Sequence, residues 1–107
     1  MKDSYCVILT TAGSQNEADL LAKVLVSRRL AACVQVLQIA STYRWKEKVI
    51  QEPEFLLFIK TPADLYKQVE AAILENHSYE VPEIIQIPVA QGLDRYLRWI
   101  DENTVST

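Results

Sequence analysis

The chain has 107 residues, half of them hydrophobic, with 11 basic against 14 acidic side chains and a formal net charge of −3. That is the length of one domain, expected over 1–107, with enough apolar surface for a core and no need of a disulfide or structural metal. The basic residues are scattered rather than gathered into a phosphate-tracking stripe, and no stretch approaches the roughly 20 apolar residues of a membrane span, which speaks against nucleic-acid and membrane partners.

The first apolar run, Tyr5–Thr10, is too short for a secretory leader, so the chain is expected in the cytoplasm. It reads instead as a buried strand that ends before Gly13. Ser14 and Glu17 have the spacing of a capping box. Ala18, Leu21, Ala22 and Leu25 follow at helical spacing, and Arg28 and Arg29 suit the C-terminal end of the helix dipole. A long β signal runs from Ala31 to Trp45. Lys46–Lys48 is the polar tip of a hairpin whose return arm is Val49–Lys60, with Pro53 predicting an edge or a bulge. Thr61 is expected to cap a helix with Pro62 at its first position and Asp64 behind, burying Leu65, Val69, Ala72 and Ile73. His77–Pro82 breaks the pattern and Ile84–Val89 is a last strand. After Gly92, the residues Leu93, Tyr96, Leu97 and Ile100 make a short amphipathic helix.

The order β-α-β-β-α-β with an extra C-terminal helix predicts an α/β ferredoxin-like sandwich, both crossover helices on one face of an antiparallel sheet. In that topology the strands of Cys6 and Cys33 lie about 10 Å apart, too far for a disulfide. The two cysteines are expected to be small buried hydrophobes in a reducing compartment. One length does not fit a lone globule. Ala31–Trp45 spans roughly 50 Å if extended, against a domain diameter of about 35 Å. The hairpin must bend or leave its domain, and a protruding hairpin exposes apolar surface and bare strand edges that a neighbouring subunit would cover.

The stretches Leu30–Cys33, Ser41–Trp45, Lys48, Glu54, Lys60–Thr61, His77–Ile84 and Tyr96–Ile100 resemble, in order and spacing, the CutA family of divalent-cation tolerance proteins. The resemblance implies a homotrimer of PII-like architecture with strand pairing between subunits. It also implies a part in tolerance of copper and other divalent cations. Glu47 stands where the family usually has Gly at the hairpin tip, Gln35 where it usually has Asn, and Ser78 where it has Pro. The cysteine and His-His pair discussed as copper ligands in some members correspond to Thr10 and Asn76-His77 here.

Two candidate sites follow. His77, the only histidine, stands in a loop with Glu80 and Glu83, and Cys33 is a weaker soft ligand; together they are the candidate set for copper or another divalent cation. One chain supplies one imidazole, whereas a soft-metal site takes three or four ligands. Lys60, Tyr79 and Glu80 at element ends, with Tyr43 and Trp45 on the hairpin, are expected to line a cleft between subunits for a small anion or metabolite, as in a PII-like sensor. The plainer alternative is that the aromatics fill an interface and the polar groups cap helices. No nucleophile–base pair and no GxSxG, HExxH, Walker or Rossmann pattern occurs, so a metal-binding or regulatory protein is expected rather than an enzyme.

Overall fold

A computed structural model describes residues 4–106. Residues 1–3 and 107, and with them both ends of the expected 1–107 domain, lie outside the described residues. The elements are β1 (Tyr5–Ala12), α1 (Gln15–Ser27), β2 (Cys33–Trp45), β3 (Lys48–Pro62), a 3-10 turn (Ala63–Leu65), α2 (Tyr66–Asn76), β4 (Ile84–Val89) and α3 (Asp94–Glu102). The strands form one antiparallel sheet in the order β2-β3-β1-β4.

Alternation along the strands decides which face is covered. Cys6, Ile8 and Ala12 of β1 and Leu57 and Ile59 of β3 point to one face, where Leu21 and Leu25 of α1 and Val69 and Ile73 of α2 close the core. Each fully buried Leu, Ile or Val among them stabilises the fold by roughly 1.5–3 kcal/mol through removal from water. Cys6 is buried and Cys33 half-buried, and both are free thiols on strands separated by β3. Among the described residues, the opposite face is covered only at one end, where Ile100 of α3 packs with Tyr5 and Ala32 and the Tyr5 hydroxyl donates to Asp101 Oδ2 at 2.6 Å. The rest of that face carries Val7, Leu9, Leu37, Leu56, Phe58, Ile85 and Ile87, of which Leu37, Ile85 and Ile87 are about half exposed.

Local chemistry departs from expectation at three places. Ser14 caps α1, its Oγ accepting the Glu17 amide at 3.1 Å, but the Glu17 carboxylate does not return to Ser14; it takes the amides of Gly13 and Ser78 instead. β2 begins at Cys33 rather than Ala31, because the amides of Leu30 and Ala31 fold back onto Leu25 O to close α1, with Arg29 left-handed at φ 60°. Thr61 does not cap a helix. It lies in β3, and its hydroxyl donates to Leu30 O at 2.7 Å, tying the sheet to the α1–β2 link. Pro53 takes the first of its two expected settings: β3 is an edge strand there because β1 stops opposite Phe55, and it stays in register with Ala40 opposite Pro53, without a bulge.

The hairpin turns on Lys46 and Glu47 alone, both at positive φ (49° and 69°), the pattern of a type I′ turn. It leaves the domain rather than bending back. The molecule measures 46 × 25 × 21 Å, and residues 48–54 of β3 pair only with β2. Among the described residues, no helix is long and apolar enough to cross a membrane.

Candidate functional site

The loop between α2 and β4 is held by its own backbone, by β1 and by α1. His77 Nε2 lies 2.6 Å from Thr11 O, and the Tyr79 amide donates to Nδ1 at 3.1 Å. A carbonyl only accepts, so these partners assign the proton to Nε2 and the lone pair to Nδ1. The Ser78 amide donates to Glu17 Oε2 at 2.9 Å. Burial pushes the Glu17 carboxyl up, but the hydrogen bonds from Ser78 and Gly13 outweigh it and hold the carboxyl below its usual range.

This anchoring carries Tyr79 across the end of β1. Gly13 permits the passage, since a Cβ there would stand 3.1 Å from the Tyr79 hydroxyl. The hydroxyl donates to Glu54 Oε2 at 2.7 Å, and Glu54 is only 6 % exposed. On the hairpin, the Tyr43 hydroxyl donates to Glu52 Oε1. The bond to Glu52 pushes the Tyr43 hydroxyl up to about 12, and burial together with the Glu54 bond pushes that of Tyr79 up further from its ordinary value.

Between hairpin and loop lies a cavity of about 690 Å³. Tyr43, Trp45, Tyr79 and Glu80, four of the five residues expected in a cleft, line it together with Glu54 and Glu83. Lys60 does not join them. It stands four residues along β3 from Leu56, the partner of Thr11, roughly 14 Å away at the strand rise, with its Nζ 5.6 Å from the Tyr96 ring. Lys60 is opposite Cys33 in the β2–β3 register, so Cys33 sits at that far end too, and the set His77, Glu80, Glu83 and Cys33 is not brought together in one chain. No group of three or more His, Cys, Asp or Glu side chains among the described residues is placed to hold a metal ion. Cys6 is a resting thiol, pushed up to about 11 by burial, and Thr10 is buried on the helix-covered face, away from the cavity.

Sequence reasoning passed over Glu54 as a site residue, along with Thr11, Ser41 and Thr42, which also line the cavity. Glu54 had a readable signal: a single acid heading the apolar run Phe55–Ile59 has to find a partner if it is buried. Thr11 had none, since a threonine in a strand is ordinary.

The sheet order, the two helices on one face and the lateral cavity at the root of a projecting hairpin define an α/β ferredoxin-like sandwich with a third, C-terminal helix. The pattern described as "CutA1 divalent ion tolerance protein" matches residues 6–103, and the chain belongs to that family. It is 40 % identical over 99 residues to the divalent-cation tolerance protein CutA of Thermus thermophilus, covering 92 % of this chain and 96 % of that one. The crystal structure of CutA1 from Oryza sativa superposes with a TM-score of 0.95 at 34 % identity, covering 99 % of this chain and 98 % of the other. A structure described as the periplasmic divalent cation tolerance protein CutA from Archaeoglobus fulgidus matches at 0.91 and 37 % identity, covering 92 % and 97 %.

Proposed function

We propose that this chain serves divalent-cation tolerance as a cytoplasmic homotrimer that binds a ligand and catalyses no reaction. The observation that carries the trimer is the open sheet face. Leu37, Ile85 and Ile87 stand half exposed beside Val7, Leu9, Leu56 and Phe58, and the adjoining hairpin offers an unpaired β3 edge. A contiguous apolar face and a bare edge on one side of one molecule are both removed by pairing with copies of the same chain. Two free thiols, one buried and one half-buried, suit a reducing compartment.

Two ligand readings divide the function. In the first, copper or another divalent cation is bound through His77 with Glu80 or Glu83, Cys33 being the weaker candidate. That requires the His77 ring to give up Thr11 O or the Tyr79 amide, and requires a second chain to complete the ligand set. In the second, PII-like reading, a small molecule occupies the cavity between hairpin and loop. The gathering of Tyr43, Trp45, Tyr79 and Glu80 around one space favours it.

Sedimentation equilibrium tests the assembly: a mass three times that of the chain is expected, and a monomer at micromolar concentration would sink the proposal. Calorimetry with copper and zinc on wild type and His77→Ala tests the metal reading. Saturable heat that is lost in a still-trimeric His77→Ala protein supports it, and absence of saturable heat with either metal leaves the cavity as the binding site.

A further inference from the structure

We infer that the exposed Tyr96–Trp99 face of α3 docks on the loop Glu80–Glu83 of a second copy of this chain. The inference rests on the homotrimer reading above and names one contact of that assembly.

The helix face comes first. α3 commits Leu97 and Ile100 to the sheet end, beside Tyr5 and Val89. Tyr96 and Trp99 stay outside that contact. They stack on each other with centroids 5.6 Å apart and 25° between planes, yet remain 38 % and 40 % exposed. Lys60 Nζ stands 5.6 Å from the Tyr96 ring on one flank, and Arg95 lies one helical turn before Trp99 on the other. Tyr, Trp and Arg are the residue types that carry most of the binding energy at interfaces.

The second observation is the counterpart. Val81 is 68 % exposed and stands between Glu80 and Glu83, both exposed as well. Among the described residues, none of Lys60, Arg95, Glu80 and Glu83 stands in an ion pair. One patch is apolar with cations at its flanks, the other apolar with anions at its flanks, and neither finds its countercharge in its own chain.

The third observation is where the two patches lie. α3 packs on Tyr5, whereas the loop is tied by His77 to Thr11, six residues along β1 and roughly 20 Å away at the strand rise. The patches therefore cannot meet within one chain. Between them runs the open face with Val7, Leu9, Ile85 and Ile87, so both stand at the rim of the surface that the trimer covers, where polar and charged contacts belong. Each copy offers one helix and receives one, a heterologous contact of the kind that closes into a ring. The loop is also a wall of the cavity, so the docked helix makes that cavity a space shared by two copies.

The test joins chains that each hold one cysteine. In a Cys6→Ala, Cys33→Ala background, Arg95→Cys carries a mass tag, Val81→Cys carries none, and the two are co-expressed. A short bismaleimide is expected to join a tagged to an untagged chain and to give no product from either chain alone. Charge exchange is the second measurement, read as the half-dissociation concentration by sedimentation in urea below the unfolding transition. Arg95→Glu is expected to raise it at least about tenfold at low salt and less at high salt. Adding Glu80→Lys and Glu83→Lys to the same chain is expected to restore it to within about threefold. If a cysteine chain fails to fold, the charge exchange decides alone. A product from one single-cysteine species alone overturns the inference, and so does an Arg95→Glu loss that the two lysines do not restore. A trimer that gives no mixed product refutes this contact alone, whereas a monomer refutes the trimer and this contact together.

Discussion

Replacing Tyr79 by Phe deletes one hydroxyl and nothing else, and the structure says what that hydroxyl does. It donates at 2.7 Å to the carboxylate of Glu54, a residue 6 % exposed, and no other described residue donates to that carboxylate. Hydrogen bonds to charged groups contribute about 1.5–3 kcal/mol net, and the lower end applies because the cavity lets water reach the free oxygen. The ring fits as before, since the atom removed is the one closest to Gly13. Tyr79→Phe is therefore expected to cost about 1.5 kcal/mol in urea unfolding at fixed protomer concentration near pH 7.5. The sign of the pH dependence follows from the direction of the shift. The native Tyr79 hydroxyl is pushed above its ordinary value of 10.0, by burial first and the Glu54 bond second. Its contribution is thus fully present below pH 10 and is lost as pH rises toward the native value. The gap between wild type and Tyr79→Phe should hold from pH 7 to 10 and narrow above it. Combining Tyr79→Phe with Glu54→Gln should cost less than the sum of the two singles. A loss under about 0.5 kcal/mol, or strict additivity with Glu54→Gln, would refute the view that this bond anchors loop to hairpin.

Three further outcomes are expected. Glu47→Gly at the hairpin tip should raise stability by about 1 kcal/mol in the same assay, since Glu47 is held at φ 69°, where a side chain is strained and glycine is not. Leu57→Ala, in the middle of β3 and fully buried, should cost about 2–5 kcal/mol by urea denaturation through lost transfer energy and a residual cavity. Glu17→Gln should flatten the acid limb of stability. The Glu17 carboxyl is held below its ordinary value, so its contribution is present above pH 4.5 and lost as pH falls through the native value, which acid titration followed by circular dichroism will show.

Fold class was legible in the chain because each element carries its own period. β4 occupies Ile84–Val89 as the apolar run predicts, and Leu65, Val69, Ala72 and Ile73 are all buried as the 3.6-residue spacing requires. The β-α-β-β-α-β order then leaves few topologies, and the order β2-β3-β1-β4 is one of them. The excess length of the hairpin was legible too, from residue count and strand rise alone.

Element ends were less legible, because they depend on who takes each backbone group. Ala31 carries the same propensity inside or outside β2, and it is the closure of α1 onto Leu25 O that excludes it. Thr61 beside Pro62 looks like a cap until the approach of Leu30 O offers its hydroxyl a nearer acceptor. The site was divided in the same way. Aromatic type marked Tyr43 and Trp45, and a polar group at an element end marked Tyr79 and Glu80, but the grouping that sets Lys60 and Cys33 at the far end of the sheet follows from register, which no local pattern encodes. His77 shows the limit most plainly. Its identity as the single imidazole is a fact of sequence. That both its ring nitrogens are occupied, by Thr11 O and the Tyr79 amide, is decided by the end of a strand 66 residues away, because a lone pair is available or not only through its neighbours in space.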